Sequence, residues 1–343
     1  MAIVGHWTTL VEAQKLVQST LLAGIVQETY EEGQLLAELP VFAINSKSIT
    51  YNRENTLPSA AFYDIHEQIP WQADVDYATQ KEATLKRVAR QSILDKFMMD
   101  TYKDPNDYRS IVTAGLRKGC LRTIEDKLIY GDIDNDAAEF DGISQVFDTD
   151  AADGDAFTSA TNSQMYDMGG AAAPASIGIL RQLVDQVRPK PDILLMTRTF
   201  RNTLSATAFE KGIVLSNAQP VGNISYNKNE FGTRIDYFDG IRILLSDFLL
   251  NEVDNTGIKD PGNDSGVCSV YAIRFGQIMD GGLCLCIGSS TGGPQFFMIK
   301  ELEALEDFDA GGIRLTAYCC LALGSTKAIA RVHSIQEAGA IVA

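Results

Sequence analysis

The chain has 343 residues, with 29 Lys+Arg against 45 Asp+Glu and hence a formal net charge of −16. At 45% hydrophobic and 22% charged it carries enough apolar material for a sizeable core and too much for disorder. A pI near 4.6 argues against a free-standing nucleic-acid binder, which needs clustered Lys and Arg to neutralise phosphate, and no run approaches the roughly 20 apolar residues of a membrane span.

The first twenty residues lack a basic stretch followed by an apolar run and a cleavage site, so synthesis and retention in a cytoplasm are expected. From Thr8 to Gln27, Leu10, Ala13, Val17, Leu21 and Ile25 recur at steps of three and four. They predict a helix with one apolar face that needs a partner surface. Residues 33–65 carry mixed, strand-like patches ending in Thr56-Leu57-Pro58. Between Trp71 and Phe97 the pattern stays open: Leu85, Val88, Ala89, Ile93 and Phe97 fit a helix, while Lys86, Arg87, Arg90 and Lys96 keep both faces wet. Such a polar segment is often an extended arm or hairpin.

The clearest element spans Asp104 to Gly131, where Tyr108, Val112, Leu116, Cys120, Ile124 and Leu128 form an i, i+4 ridge. Asp104 suits the cap, Pro105 the first turn and Gly131 the stop. After it the composition turns acidic: Asp132, Asp134, Asp136, Glu139, Asp141 and further Asp residues follow, with no Lys or Arg until Arg181, which predicts a loop at a lobe boundary. From Ser176 a helix with Ile177, Leu180, Val184 and Val187 inward, a strand over Asp192–Thr199 and a helix closing near Gly212 are predicted. Asp239-Gly240 reads as a tight hairpin turn. Strands are predicted over Cys268–Phe275, Leu283–Ile287, Phe296–Leu302 and Ile313–Leu323, so the fold class is α+β.

No cofactor or catalytic motif survives inspection. The six cysteines are sparse and contain no C-x-x-C pair, so Cys284, Cys286, Cys319 and Cys320 read as reduced core residues. A phosphate loop at Gly288–Gln295 fails because Pro294 stands where Lys is required. Gly288-Ser289-Ser290-Thr291-Gly292 matches G-x-S-x-G, with Asp307 or Asp309 and His333 following in hydrolase order. A nucleophile elbow needs a helix next, however, and Gln295–Ile299 reads as a strand, so a hairpin is preferred and His333 is read as a surface histidine. Asp132, Asp134 and Asp136 match the first calcium ligands of an EF-hand, but Ala137 and Ile143 break the rest, so no metal site is expected.

The order of these features, with Ile49–Phe62, Glu125…Leu128–Asp132, Phe140–Ile143, Phe238–Ile243, Ser269–Gly276 and Ala328–Arg331, resembles tailed-phage major capsid proteins of the Hong Kong ninety-seven fold. The resemblance covers most of the chain from about Thr8. It implies an N-arm at 1–40, an E-loop region at 41–103, a peripheral domain at 104–141 and 296–312 built on a long spine helix, and an axial α/β domain at 142–295 and 313–343. It further implies a non-enzymatic virion shell subunit, made in the host cytoplasm and assembling with itself into hexamers and pentamers. A scaffolding protein, a portal and a decoration protein are implied partners, and packaged DNA is a non-specific neighbour.

The assembly residues implied are Leu10, Val17 and Leu21 on the arm, Trp71, Lys81 and Lys86 on the E-loop, and Glu306, Asp307 and Asp309 on the peripheral loop. Some members weld subunits through a Lys–Asn isopeptide bond. Glu303–Gly312 holds no asparagine, so none is expected here. The alternatives carried are an encapsulin-like nanocompartment shell, whose inner face should hold a cargo-peptide groove, and a serine hydrolase using Ser290.

Overall fold

The computed structural model describes residues 33–53, 60–69, 71, 79–97, 108–145, 164–168, 173–210, 224–228, 234–249, 252, 266–290, 293–294, 296–302, 309–339 and 341. The predicted helix at 8–27, with Leu10, Val17 and Leu21, lies outside them, as do Glu306 and Asp307.

The chain enters through a one-turn helix, α1 (Leu35–Glu38), and strands β1 (Val41–Ile44) and β2 (Ser48–Arg53). The segment left open by its pattern is two strands, β3 (Thr79–Thr84) and β4 (Lys86–Asp95). Strand geometry places Leu94 in the core and leaves Arg87 and Arg90 in solvent, which accounts for the mixed signal. β3 pairs antiparallel with β2 as a separate two-stranded ribbon, while β4 joins the main sheet.

The long helix α2 (Tyr108–Tyr130) runs for 23 residues, about 35 Å at 1.5 Å per residue. Its ridge is buried only toward the C-terminus: Cys120, Ile124, Leu128 and Ile129 are buried, whereas Ile111, Val112 and Leu116 are half-buried. The helix stops at Gly131 because the chain doubles back against itself there. A Cβ on Gly131 would sit 2.2 Å from the Phe140 carbonyl oxygen, and the Gly142 N–H donates to the Gly131 carbonyl at 2.8 Å.

The remaining elements are β5 (Met165–Asp167), α3 (Ile177–Gln186), β6 (Ile193–Met196), α4 (Arg198–Glu210), β7 (Ile224–Lys228), β8 (Arg234–Phe238), β9 (Ile241–Leu245) and β10 (Val267–Ile273). They continue with β11 (Leu283–Ser290), β12 (Gly293–Pro294), β13 (Met298–Leu302), β14 (Ala310–Leu323) and β15 (Ile329–Gln336). Ser176 caps α3 by accepting the Gly178 N–H at 3.2 Å, and Leu180, Leu183 and Val187 are buried. Asp239 and Gly240 both take positive φ, 48° and 76°, as a two-residue hairpin turn between β8 and β9 requires.

Seven strands form a sheet in the order β5-β15-β10-β6-β9-β8-β7. Its central strands are apolar on both faces because both faces are covered. Ile193 and Leu195 of β6, with Tyr271 and Ile273 of β10, enter the core shared with α1 and the C-terminal half of α2. Leu194 and Met196, with Val270 and Ala272, enter a second core with Leu180 and Leu183 of α3 and Phe200 and Leu204 of α4. Each Leu or Ile so enclosed contributes about 1.5–3 kcal/mol relative to exposure.

A second sheet is organised by the 14-residue β14, flanked by β4 on one side and by β13 and β11 on the other, with β1 parallel to β11 beyond. All six cysteines are free and buried. Burial pushes the Cys319 thiol up to about 12, which leaves it unreactive.

His333 is not the surface residue expected. It lies in β15, between β5 and β10, and is 2% exposed, with Nδ1 3.0 Å from the Ser334 hydroxyl. The neighbouring strands cover it, and no local pattern in the sequence reports that.

Candidate assembly surface and buried polar junction

Where the C-terminus of α2 meets the seven-stranded sheet, an ion pair is enclosed. Glu252 is 0% and Arg331 2% exposed, with Arg331 Nη2 3.7 Å from Glu252 Oε2. The Ser269 hydroxyl of β10 donates to Glu252 Oε2 at 2.5 Å, and Arg331 Nε and Nη2 donate to Ser269 Oγ at 3.2 Å. The Tyr130 hydroxyl, from the last residue of α2, donates to Glu252 Oε1, and the Arg331 guanidinium lies 5.3 Å from the centre of the Tyr271 ring. Burial raises the proton affinity of the Glu252 carboxyl, and Arg331, Ser269 and Tyr130 oppose that. The arrangement ties helix, loop and sheet together by matching Glu252 to Arg331, Ser269 and Tyr130.

A second buried carboxylate is treated differently. Glu125, on α2 between Ile124 and Leu128, is 5% exposed. Its Oε1 accepts the Leu36 N–H at 3.1 Å, while Oε2 has no hydrogen-bond partner. Desolvation pushes its carboxyl up to about 7, against the Leu36 N–H, which favours the charged form. It lines a groove of about 760 Å³ whose apolar walls include Leu36, Val41, Leu121, Phe296 and Phe297, with Arg117 and Arg122 among its polar residues.

Two further surfaces are open. Residues 60–71 expose Phe62 (108%), Ile65, Ile69 and Trp71 (101%), so the described parts of the chain place nothing over them. Along the middle of α2, from Val112 to Asp126, a trough of about 940 Å³ mixes apolar residues such as Val88 and Leu116 with Arg90, Arg122 and Asp247, and among the described residues nothing comes within 4 Å of where a Cβ would stand on Gly115 or Gly119. Isolated exposed apolar side chains are ordinary, whereas four large ones within ten residues make an unusual concentration of uncovered apolar surface.

The residues named from the sequence do not converge on one site. Trp71 stands in the exposed segment, and Lys81 lies in the β2–β3 ribbon opposite Tyr51. Lys86 Nζ donates to the Ala137 carbonyl at 2.7 Å, tying β4 to the acidic turn. Asp309 pairs with Lys96 at 3.8 Å in solvent. In the acidic turn the carboxylates serve the local backbone: Asp132 accepts the Asp134 N–H at 2.8 Å, Asp136 the Ala138 N–H at 2.9 Å and Asp141 the Ile133 N–H at 3.0 Å. No group of three or more metal-ligating side chains occurs among the described residues.

Ser290 ends β11, and the chain returns as β12 with Ser290 opposite Gly293, so strand follows strand where an elbow needs a helix. His333 sits in the other sheet. Glu125, Glu252 and Arg331 were absent from the sequence-based site. The available signal was a charge set within an apolar ridge or strand, at Ile124-Glu125 and Ala330-Arg331-Val332.

No protein-family model matches the chain, and no curated protein matches it by sequence. Solved structures do. The holo-SrpI encapsulin complex from Synechococcus elongatus is similar at TM-score 0.67 and 15% identity, covering 96% of this chain and 97% of that chain. The capsid of an empty GTA particle is similar at TM-score 0.63 and 11% identity, covering 93% and 95%. The capsid of the cyanophage P-SCSP1u is similar at TM-score 0.55 and 10% identity, covering 93% of each chain. With its α+β layout and near-complete coverage, the chain has a Hong Kong ninety-seven-like capsid fold.

Proposed function

We propose that the chain is the major capsid subunit of a tailed-phage head, assembling into hexamers and pentamers of a closed shell around DNA. The observation that carries this is the exposed run Phe62, Ile65, Ile69 and Trp71 on a fold whose solved counterparts are shell subunits. An apolar run of this kind is covered when a neighbouring copy packs on it, and repetition of weak contacts around a closed ring makes the shell stable. On this reading residues 41–103 reach over a neighbour, α2 is the spine of the peripheral domain, and the seven-stranded sheet is the axial domain. A net charge of −16 keeps an enclosed genome from adhering to the wall. The role needs no catalysis by the subunit. Scaffolding, portal and decoration proteins are the partners it calls for.

The groove beside Glu125 favours a second reading, an encapsulin-like nanocompartment whose subunit presents an apolar site for a cargo peptide. Light scattering and negative-stain microscopy of the purified protein, across protein concentration and salt, test the shell common to both. Closed shells or rings are expected, and a persistent monomer would overturn it. The contents of shells isolated from the native source then separate the two, since a head encloses DNA and a compartment encloses protein.

A further inference from the structure

We propose that Glu125 is a proton-operated latch on the segment Gly33–Leu39. Protonated, it holds that segment against the spine helix. Ionised, it loosens the hold, and with it the point from which everything N-terminal to Gly33 departs. The inference concerns the single subunit and does not depend on what the shell encloses.

The geometry is that of a carboxyl group enclosed by backbone. Leu36 donates its N–H to Oε1 at 3.1 Å, and Gly33 packs so closely that a Cβ there would fall 2.5 Å from both Cδ and Oε2. Gly33 is fixed from its other side by a β-bridge to Ser246. The remaining oxygen, Oε2, has no partner in a 5% exposed position. A neutral carboxyl tolerates that place, whereas a carboxylate there gives up water for one backbone N–H.

The charged groups around it do not relieve this. Glu38, on the latched segment, is paired with Arg242 at 2.7 Å, and Asp247, on the loop after Ser246, is paired with Arg198 at 2.9 Å. On α2 itself Arg117 and Arg122 line the same groove, and Asp126 follows in sequence. β1 and β11 present Val41, Leu285 and Ile287, none of them charged. Desolvation and the Leu36 N–H therefore set the balance. Leu35 and Leu39 of the segment are buried, so opening it exposes these two side chains as well, and local opening is told from global unfolding by comparing amides 33–39 with distant core amides.

The sign follows from linkage. The latched carboxyl titrates at about 7 and a solvated one near 4.5. Opening the latch therefore releases a proton between those values and becomes easier as pH rises through that window, levelling above about 7. The test is hydrogen exchange with mass spectrometry on the full chain, following the amides of residues 33–39 from about pH 4.5 to about pH 8.5 and correcting for the intrinsic exchange rate. The wild-type protection factor is expected to fall by about a hundredfold up to about pH 7 and then hold level. Glu125→Gln, which reproduces the neutral carboxyl, is expected to stay protected throughout, with the pH response of distant core amides unchanged. Should Glu125→Gln fail to fold, the wild-type profile decides alone. Protection at residues 33–39 that does not vary with pH, or a Glu125→Gln profile falling in parallel with the wild type, would overturn the proposal.

Discussion

Glu252 and Glu125 are both buried, but Glu252 meets Arg331, Ser269 and Tyr130, whereas Glu125 has one backbone N–H and an oxygen with no partner. The surroundings differ in the same sense. Around Glu252 the seven-stranded sheet is covered on both faces; Glu125 borders an open groove walled by Leu36, Val41, Leu121, Phe296 and Phe297, and elsewhere on the chain Phe62, Ile65, Ile69 and Trp71 are likewise left uncovered. The first region is completed within one chain, and the second is left for a proton, a partner or a neighbouring copy to complete. Substitutions in the first should therefore act on folding, and those in the second on response and association.

The largest effect is expected at the junction. Arg331→Met leaves Glu252 buried without its cation and should cost about 3–5 kcal/mol in denaturant unfolding. The double variant Arg331→Met with Glu252→Leu should recover much of that, because the uncompensated charge goes too. Recovery no better than additive would mean that Arg331 acts through its packing on Tyr271 instead. Next, Leu128→Ala removes a fully buried side chain from the C-terminal half of α2 and should cost about 2–5 kcal/mol by the same assay.

At Glu125 the expected effect has the opposite sign and depends on pH. Because the folded carboxyl titrates at about 7 against 4.5 in the open chain, wild-type stability should fall as pH rises between those values. Glu125→Gln removes that fall and should be the more stable variant at about pH 8, by at most about 3 kcal/mol, in unfolding measured at both pH values. Equal pH slopes for the two proteins would place Glu125 in the completed class alongside Glu252.

How far the sequence could be read follows the same division. The i, i+4 ridge of α2 and the Asp239-Gly240 turn were legible because their signals are local, one a period and the other a conformational demand. β4 was not, because neither face is uniformly apolar: Arg90 shares one face with half-covered Val88, and Arg87 shares the other with half-covered Ile93, a pattern settled only by pairing with β14, more than 200 residues later. The same holds for His333, buried by β5 and β10, and for Glu125, whose ridge position looks solvated until Gly33 folds back on it.

The smallest effect on folding is expected where assembly should suffer most. Phe62 and Trp71 are fully exposed, so replacing both with Ser removes no intrachain burial and should leave unfolding within about 0.5 kcal/mol of wild type. If these side chains are the ones a neighbouring copy covers, the same variant should lose rings and shells in light scattering and negative-stain images at concentrations where the wild type forms them. The two readouts must separate for the comparison to hold. A loss of stability with assembly intact would put residues 60–71 in the region completed by its own chain, and assembly unchanged would remove the observation on which the shell reading rests.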